Sequence, residues 1–157
     1  MIIRPATLED APALIEVLAA MHCESAYAFL PFDRGKVADE IRACVTNPES
    51  QCGFVAQCDA RIIGVLGGYL GEYFFCRERV ASDMVFYVEP SFRGTLVPFR
   101  LVRAFREWAR ARGAAELCLG ISTDVHPERT GKFYELMGLK FVGGNYKQRL
   151  NENGDRN

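Results

Sequence analysis

Between Met84 and Arg112 the chain passes from a strand-like segment through a turn into a long helix without interruption. Met84-Val85-Phe86-Tyr87-Val88 has the branched and aromatic content of a strand, and Glu89-Pro90-Ser91-Phe92-Arg93-Gly94-Thr95 is rich in turn formers. Leu96 to Arg112 then repeats at helical period. Leu101, Val102, Phe105, Trp108 and Ala109 share one face, with Arg100, Arg103, Arg106 and Arg110 on the other. A helix that starts directly after a strand aims its unpaired N–H groups and the positive end of its dipole at whatever lies above the turn. That arrangement suits a phosphate or pyrophosphate, so the segment points to a phosphate-bearing cofactor. Glu116 to Ile121 reads as the next strand, and strand–helix–strand implies one parallel pair.

The preceding half supplies antiparallel material. Ile2-Ile3 is a short strand ended by Pro5, and Thr7 with Asp10 resembles a capping box before a helix carrying Ala11, Leu14, Ile15, Leu18 and Met21 on one face. A second helix is expected from Arg34 to Val45, closed by Asn47-Pro48. Gly53 to Ala56 and Ile62 to Tyr69 read as strands joined around Asp59-Ala60, and 71–82 as an extended hairpin or long loop. After Ile121 a short helix from Glu128 to Met137 stops at Gly138. Leu139 to Val142 and Asn145 to Leu150 then look like a closing strand pair. The order β-α-α-β-β-β-α-β-α-β-β predicts an α+β fold with a central mixed sheet flanked by helices.

With 157 residues the chain is expected to form one domain over 1–150, followed by a polar tail, 151–157, expected to fray. A formal net charge of -1 argues against nucleic-acid binding driven by global charge. No apolar run approaches the roughly 18–20 residues that span a bilayer, and the N-terminus lacks a signal-peptide layout, so no membrane role and a cytoplasmic location are expected. The six cysteines form no C-x-x-C, and two histidines are too few to complete a zinc site, so reduced thiols and no metal are expected.

Four segments together resemble the GNAT superfamily of N-acetyltransferases over about residues 2–150. They are Ile3-Arg4-Pro5-Ala6-Thr7-Leu8-Glu9-Asp10, Tyr87-Val88-Glu89-Pro90-Ser91-Phe92-Arg93-Gly94, the helix that follows, and Phe133-Tyr134-Glu135-Leu136-Met137-Gly138-Leu139. The resemblance implies acetyl-CoA as co-substrate. Phe86, Tyr87 and Val88 would offer backbone groups to its pantetheine arm, and the loop Arg93, Gly94, Thr95, Leu96, Val97, Pro98, Phe99 would hold its pyrophosphate. The family usually reads Arg/Gln-x-x-Gly-x-Gly/Ala in this loop, whereas Leu96 and Pro98 stand where small residues are expected. Proline suits a first helical turn but removes one N–H. Either the loop binds CoA through fewer amides or it has lost CoA. Pro127 also replaces an asparagine that contacts CoA in many relatives.

Transfer of acetyl from a thioester to an amine needs a base, oxyanion stabilisation and a proton for the departing thiolate. Tyr134 matches the family tyrosine that protonates the sulfur. For the base, Asp83, His126 and Glu72 are open, with Ser122 where some relatives carry glutamate. A relay through Cys76 or Cys118 has little to favour it, so direct transfer is expected. Tyr27, Phe29 and Phe32, and Tyr73, Phe74 and Phe75, form two aromatic clusters that suit either an acceptor pocket or a subunit interface. The reading is an N-acetyltransferase acting on a primary amine of a small molecule or protein, as a homodimer. The alternative is a non-catalytic module of the same fold that binds CoA weakly or a protein partner.

Overall fold

The structure, a computed structural model, describes residues 1–150; the polar tail lies outside the described residues. Five strands form one sheet in the order β1-β2-β3-β4-β5: β1 Ile2–Pro5, β2 Gln51–Cys58, β3 Arg61–Glu72, β4 Arg79–Val88 and β5 Glu116–Cys118. Pairings are antiparallel up to β4, and β4–β5 is parallel. The mixed sheet is therefore as the residue pattern implies, with α1 (Ala11–Glu24) and α2 (Arg34–Thr46) packed on one face. The other face carries α3 (Val97–Ala111), with α4 (Pro127–Leu136) beside it.

Alternation along the strands divides the core. Val55, Val65 and Tyr87 point to Leu14, Leu18 and Ile41 of the first helices. Ala56, Leu66 and Val88 point to Leu101, Val102 and Phe105 of α3. Trp108 Nε1 and Arg112 Nε both donate to the Pro48 carbonyl, at 3.2 and 2.6 Å, and tie the end of α3 to the α2–β2 loop. At the N-terminus Asp10 accepts from the Thr7 N–H at 2.8 Å, the acidic half of the expected box. Both Asp10 oxygens also accept from the Arg4 fork at 2.7 Å. That pair holds the Asp10 carboxyl down at about 2.

Residues 71–82 form the extended hairpin of the two expected alternatives: β3 runs to Glu72 and β4 starts at Arg79, paired across a short turn. Two expectations are corrected. The strand at Glu116 stops at Cys118 rather than Ile121. The closing pair Leu139–Val142 and Asn145–Leu150 does not form: no residue of 139–150 pairs into the sheet, although Phe141, Val142 and Tyr146 are exposed.

Candidate active site

The parallel ladder between β4 and β5 is short. It joins Val80, Ala81 and Ser82 to Glu116, Leu117 and Cys118, and then the strands part. From Asp83 to Val88, β4 keeps β3 on one side and has no strand on the other, so its backbone on that edge pairs with no strand, the Val88 carbonyl taking a side chain instead. The split is held open by side chains. Where the next ladder bond would fall, the Gly120 N–H donates to the Asp83 carboxylate at 2.8 Å. The Gly120 carbonyl accepts from the Tyr134 hydroxyl at 3.3 Å. One residue is thus gripped on its N–H by an acid from β4 and on its carbonyl by a phenol from α4.

A bulge aims Asp83 there. Gly67 opposes Val85 and Gly68 opposes Asp83, which leaves Met84 unopposed and turns the following stretch of β4. Burial pushes the Asp83 carboxyl up to about 6, only partly offset by the N–H groups it accepts. Tyr134 is buried, and burial followed by the nearby Asp83 charge raises its hydroxyl further above the usual phenol range. Phe86 stacks on it at 6.4 Å.

Asp83, Tyr134 and His126 line one cavity of about 600 Å³. His126 stands exposed before α4 in a left-handed conformation (φ 48°), and its side chain caps no helix N–H. Glu72, the other carboxylate considered, does not line this cavity, and neither do Cys76 and Cys118; Ser122 does. On one side the cavity runs along the split, against Phe86, Val88, Pro98, Ile121 and Phe133; on the other it passes beneath α1 and α2.

The loop before α3 divides its work. Arg93 is turned inward: Nε donates to the Val88 carbonyl at 2.8 Å, the guanidinium pairs with Glu24, and it lies 5.4 Å from the Tyr87 ring centroid. The Arg93 side chain is therefore a strut between the loop and α1. Thr95 takes the Val97 N–H on its hydroxyl, and the Val97 side chain is in the core. Helical bonding starts with Arg100 N–H to the Leu96 carbonyl. Among the described residues the N–H groups of Gly94, Leu96 and Phe99 have no acceptor, so three amides remain at this helix start despite Pro98. The fit to a pyrophosphate is thus reduced but present.

A cation that sequence reasoning missed stands beside them. The Arg129 guanidinium, from the first turn of α4, comes within 3.6 Å of where a Cβ on Gly94 would be. Arg129 lines the cavity, is exposed and has no ion pair among the described residues. No group of His, Cys, Asp or Glu among the described residues is arranged to hold a metal.

The fold recurs in solved structures. A ribosomal-protein-alanine N-acetyltransferase from Brucella melitensis is similar at 19% identity and TM-score 0.72, covering 95% of this chain and 98% of that one. Glucosamine-6-phosphate N-acetyltransferase from Arabidopsis thaliana reaches TM-score 0.75 at 14% identity, covering 96% and 98%. An aminoglycoside N-acetyltransferase in complex with CoA matches at TM-score 0.75 and 16% identity, over 96% and 94%. Likeness this remote in sequence carries the architecture alone. No curated protein matches the chain by sequence. The acetyltransferase (GNAT) family model matches residues 16–139, which takes in α1 from Glu16 on, all of α2, the split strands and Tyr134, and the chain belongs to that family of N-acetyltransferases.

Proposed function

We propose that the protein uses acetyl-CoA to acetylate a primary amine by direct transfer. The observation that carries this reading is Gly120, held by its N–H and its carbonyl between Asp83 and Tyr134 at the mouth of the β4–β5 split. The strand-free edge of β4 along Phe86, Tyr87 and Val88, apart from the Val88 carbonyl that Arg93 occupies, suits the amide-bearing pantetheine arm. The free amides of Gly94, Leu96 and Phe99, with Arg129, suit the pyrophosphate.

In this reading Asp83 takes a proton from the incoming ammonium. The nitrogen lone pair then attacks the thioester carbonyl, the C–S bond breaks, and Tyr134 delivers a proton to the sulfur as the second ammonium proton leaves to solvent. A partly buried carboxyl pushed up to about 6 is close enough to working pH to accept that proton. A phenol whose ionisation is pushed up keeps its proton until a thiolate needs it. His126, on the same cavity, is the second candidate for the base. The protein is further read as one catalytic domain, acting as a homodimer in the cytoplasm, where six free thiols would persist. No helix among the described residues is long and apolar enough to cross a membrane.

Calorimetric titration with acetyl-CoA, with CoA release measured in parallel, tests this for the native chain and Tyr134→Phe. The expected result is micromolar binding in both and a loss of turnover of about 10²-fold or more in the variant. Binding with no turnover by the native chain on any amine would favour the non-catalytic module. No binding at millimolar acetyl-CoA would overturn both.

A further inference from the structure

The arm of the cavity beneath α1 and α2 has a floor in which two facing strand positions, beside Val65 and Val85, carry no side chain. Gly53 on β2 lies directly opposite Gly67 on β3, and Gly67 lies opposite Val85 on β4, two residues from Asp83. All three of Gly53, Gly67 and Asp83 line the cavity. The bare stretch therefore spans the β2–β3 pairing, one strand spacing of about 5 Å, and Val85 stands between it and the acid's strand end.

Backbone geometry does not explain the two glycines, since neither has positive φ. Packing explains them only weakly. A Cβ on Gly53 would meet the Ala6 and Cys44 Cβ atoms at 3.4 and 3.6 Å, which is ordinary contact. A Cβ on Gly67 would press one atom, Val85 Cγ1 at 3.2 Å, with the Cys52 carbonyl at 3.7 Å. What larger side chains there would mainly fill is the cavity. The roof above them is Leu14, Leu18, Ile41 and Cys44, which offers no charge. The charged lining residues of these helices, Lys36 and Glu40, are exposed, and Glu24 is engaged by Arg93.

We propose that this arm is the acceptor site and selects an amine carried on an apolar body, an alkyl chain or an aryl ring, with Gly53 and Gly67 setting its depth. The inference rests on the acetyltransferase reading for the position of the amine at Asp83. A polyamine or amino sugar would strand its further charges or hydroxyls against the apolar roof, at a cost no partner there offsets. An apolar body instead buries its surface and leaves only the reacting nitrogen at the acid.

The test measures CoA release with ethylamine, n-octylamine, 2-phenylethylamine, spermidine and kanamycin, for the native chain, Gly67→Val and Cys44→Leu. Cys44→Leu fills the arm from the roof should the strand substitution fail to fold, and acetyl-CoA titration checks that each variant retains the cofactor site. The native chain is expected to favour octylamine and phenylethylamine by kcat/KM. In either variant the octylamine-to-ethylamine ratio should fall about tenfold or more, the discrimination a few methylenes provide in a shaped pocket. Preference for spermidine or kanamycin, or an unchanged ratio in both variants, overturns the inference and leaves the transferase reading standing. Should no amine turn over, calorimetry with octylamine decides. Binding weakened by Cys44→Leu supports the apolar site while the catalytic reading falls; no binding removes both.

Discussion

Asp83 and Asp10 are the same residue type, both largely withdrawn from water, and their titrations are displaced in opposite directions. Asp10 has the Arg4 guanidinium on both oxygens and sits at about 2. Asp83 is partly buried with N–H donors and no cation, and sits at about 6. Chain position marked Asp83 as a candidate, but the missing counter-charge is a tertiary fact that sequence cannot carry. The consequence for folding has a definite sign. Between about 4 and about 6 the native state holds a proton that the unfolded chain has released, so this group's contribution to stability falls as pH rises through that window. The consequence for catalysis is opposite, because only the ionised form accepts a proton. If Asp83 is the base, kcat/KM plotted against pH rises tenfold per unit below about 6 and levels above it. Asp83→Asn then loses that limb along with about 10²- to 10⁴-fold of the rate. A limb that persists in Asp83→Asn and vanishes in His126→Gln would move the role to the histidine.

Among the elements, α3 was the most legible, and the reason is visible in its packing. Leu101 and Phe105, four residues apart on its apolar stripe, sit over Gly64 and Gly68, four apart on the same face of β3. A Cβ on Gly68 would lie 2.6 and 2.7 Å from the Phe105 ring and 2.7 Å from the Ser82 carbonyl. One of those neighbours is backbone, and Phe105 is fully buried, so neither yields easily. Gly68→Ala is expected to cost about 1–3 kcal/mol as overpacking, read as a lower midpoint in urea at unchanged slope. An unchanged midpoint would mean that α3 is free to lift from the sheet. The helix pattern was written in its own residues; its seat was not, because the meeting of Gly68 with Phe105 depends on strand register. The same limit hid the opposed Gly53 and Gly67. It also hid Arg129, which reads as a solvated charge in a short helix until the fold brings it to Gly94. The early end of β5 has a local cause that sequence shows only in retrospect: the Gly120 N–H goes to a side chain, and a strand cannot continue a ladder whose bond has been diverted.

Across the whole molecule, the sheet ends at a three-residue strand whose outer edge is unpaired among the described residues, beside a concentration of exposed aromatic surface. Phe74 is 99% exposed and Phe75 69%, and Phe75 stacks on Tyr73, whose hydroxyl donates to Glu116 of β5. Residues 139–146, patterned as strands but in no strand ladder among the described residues, expose Phe141, Val142 and Tyr146 as well. A free strand edge with uncovered aromatics invites pairing with another chain, and an available partner with matching unpaired strand material is a second copy. Lys147 and Arg149 meanwhile fasten the stretch that follows over the α1–α2 connection, against Tyr27 and Phe29, so pairing in solution need only recruit the residues before them. Sedimentation at micromolar concentration is expected to give a dimer, and Phe74→Ser/Phe75→Ser is expected to shift it toward monomer. The double variant should keep acetyl-CoA affinity, since neither phenylalanine lines the cavity. A native chain that sediments as a monomer would leave the tip of the β3–β4 turn without a role in self-association. A dimer indifferent to both substitutions would instead assign the contact to the β5 edge and residues 139–146.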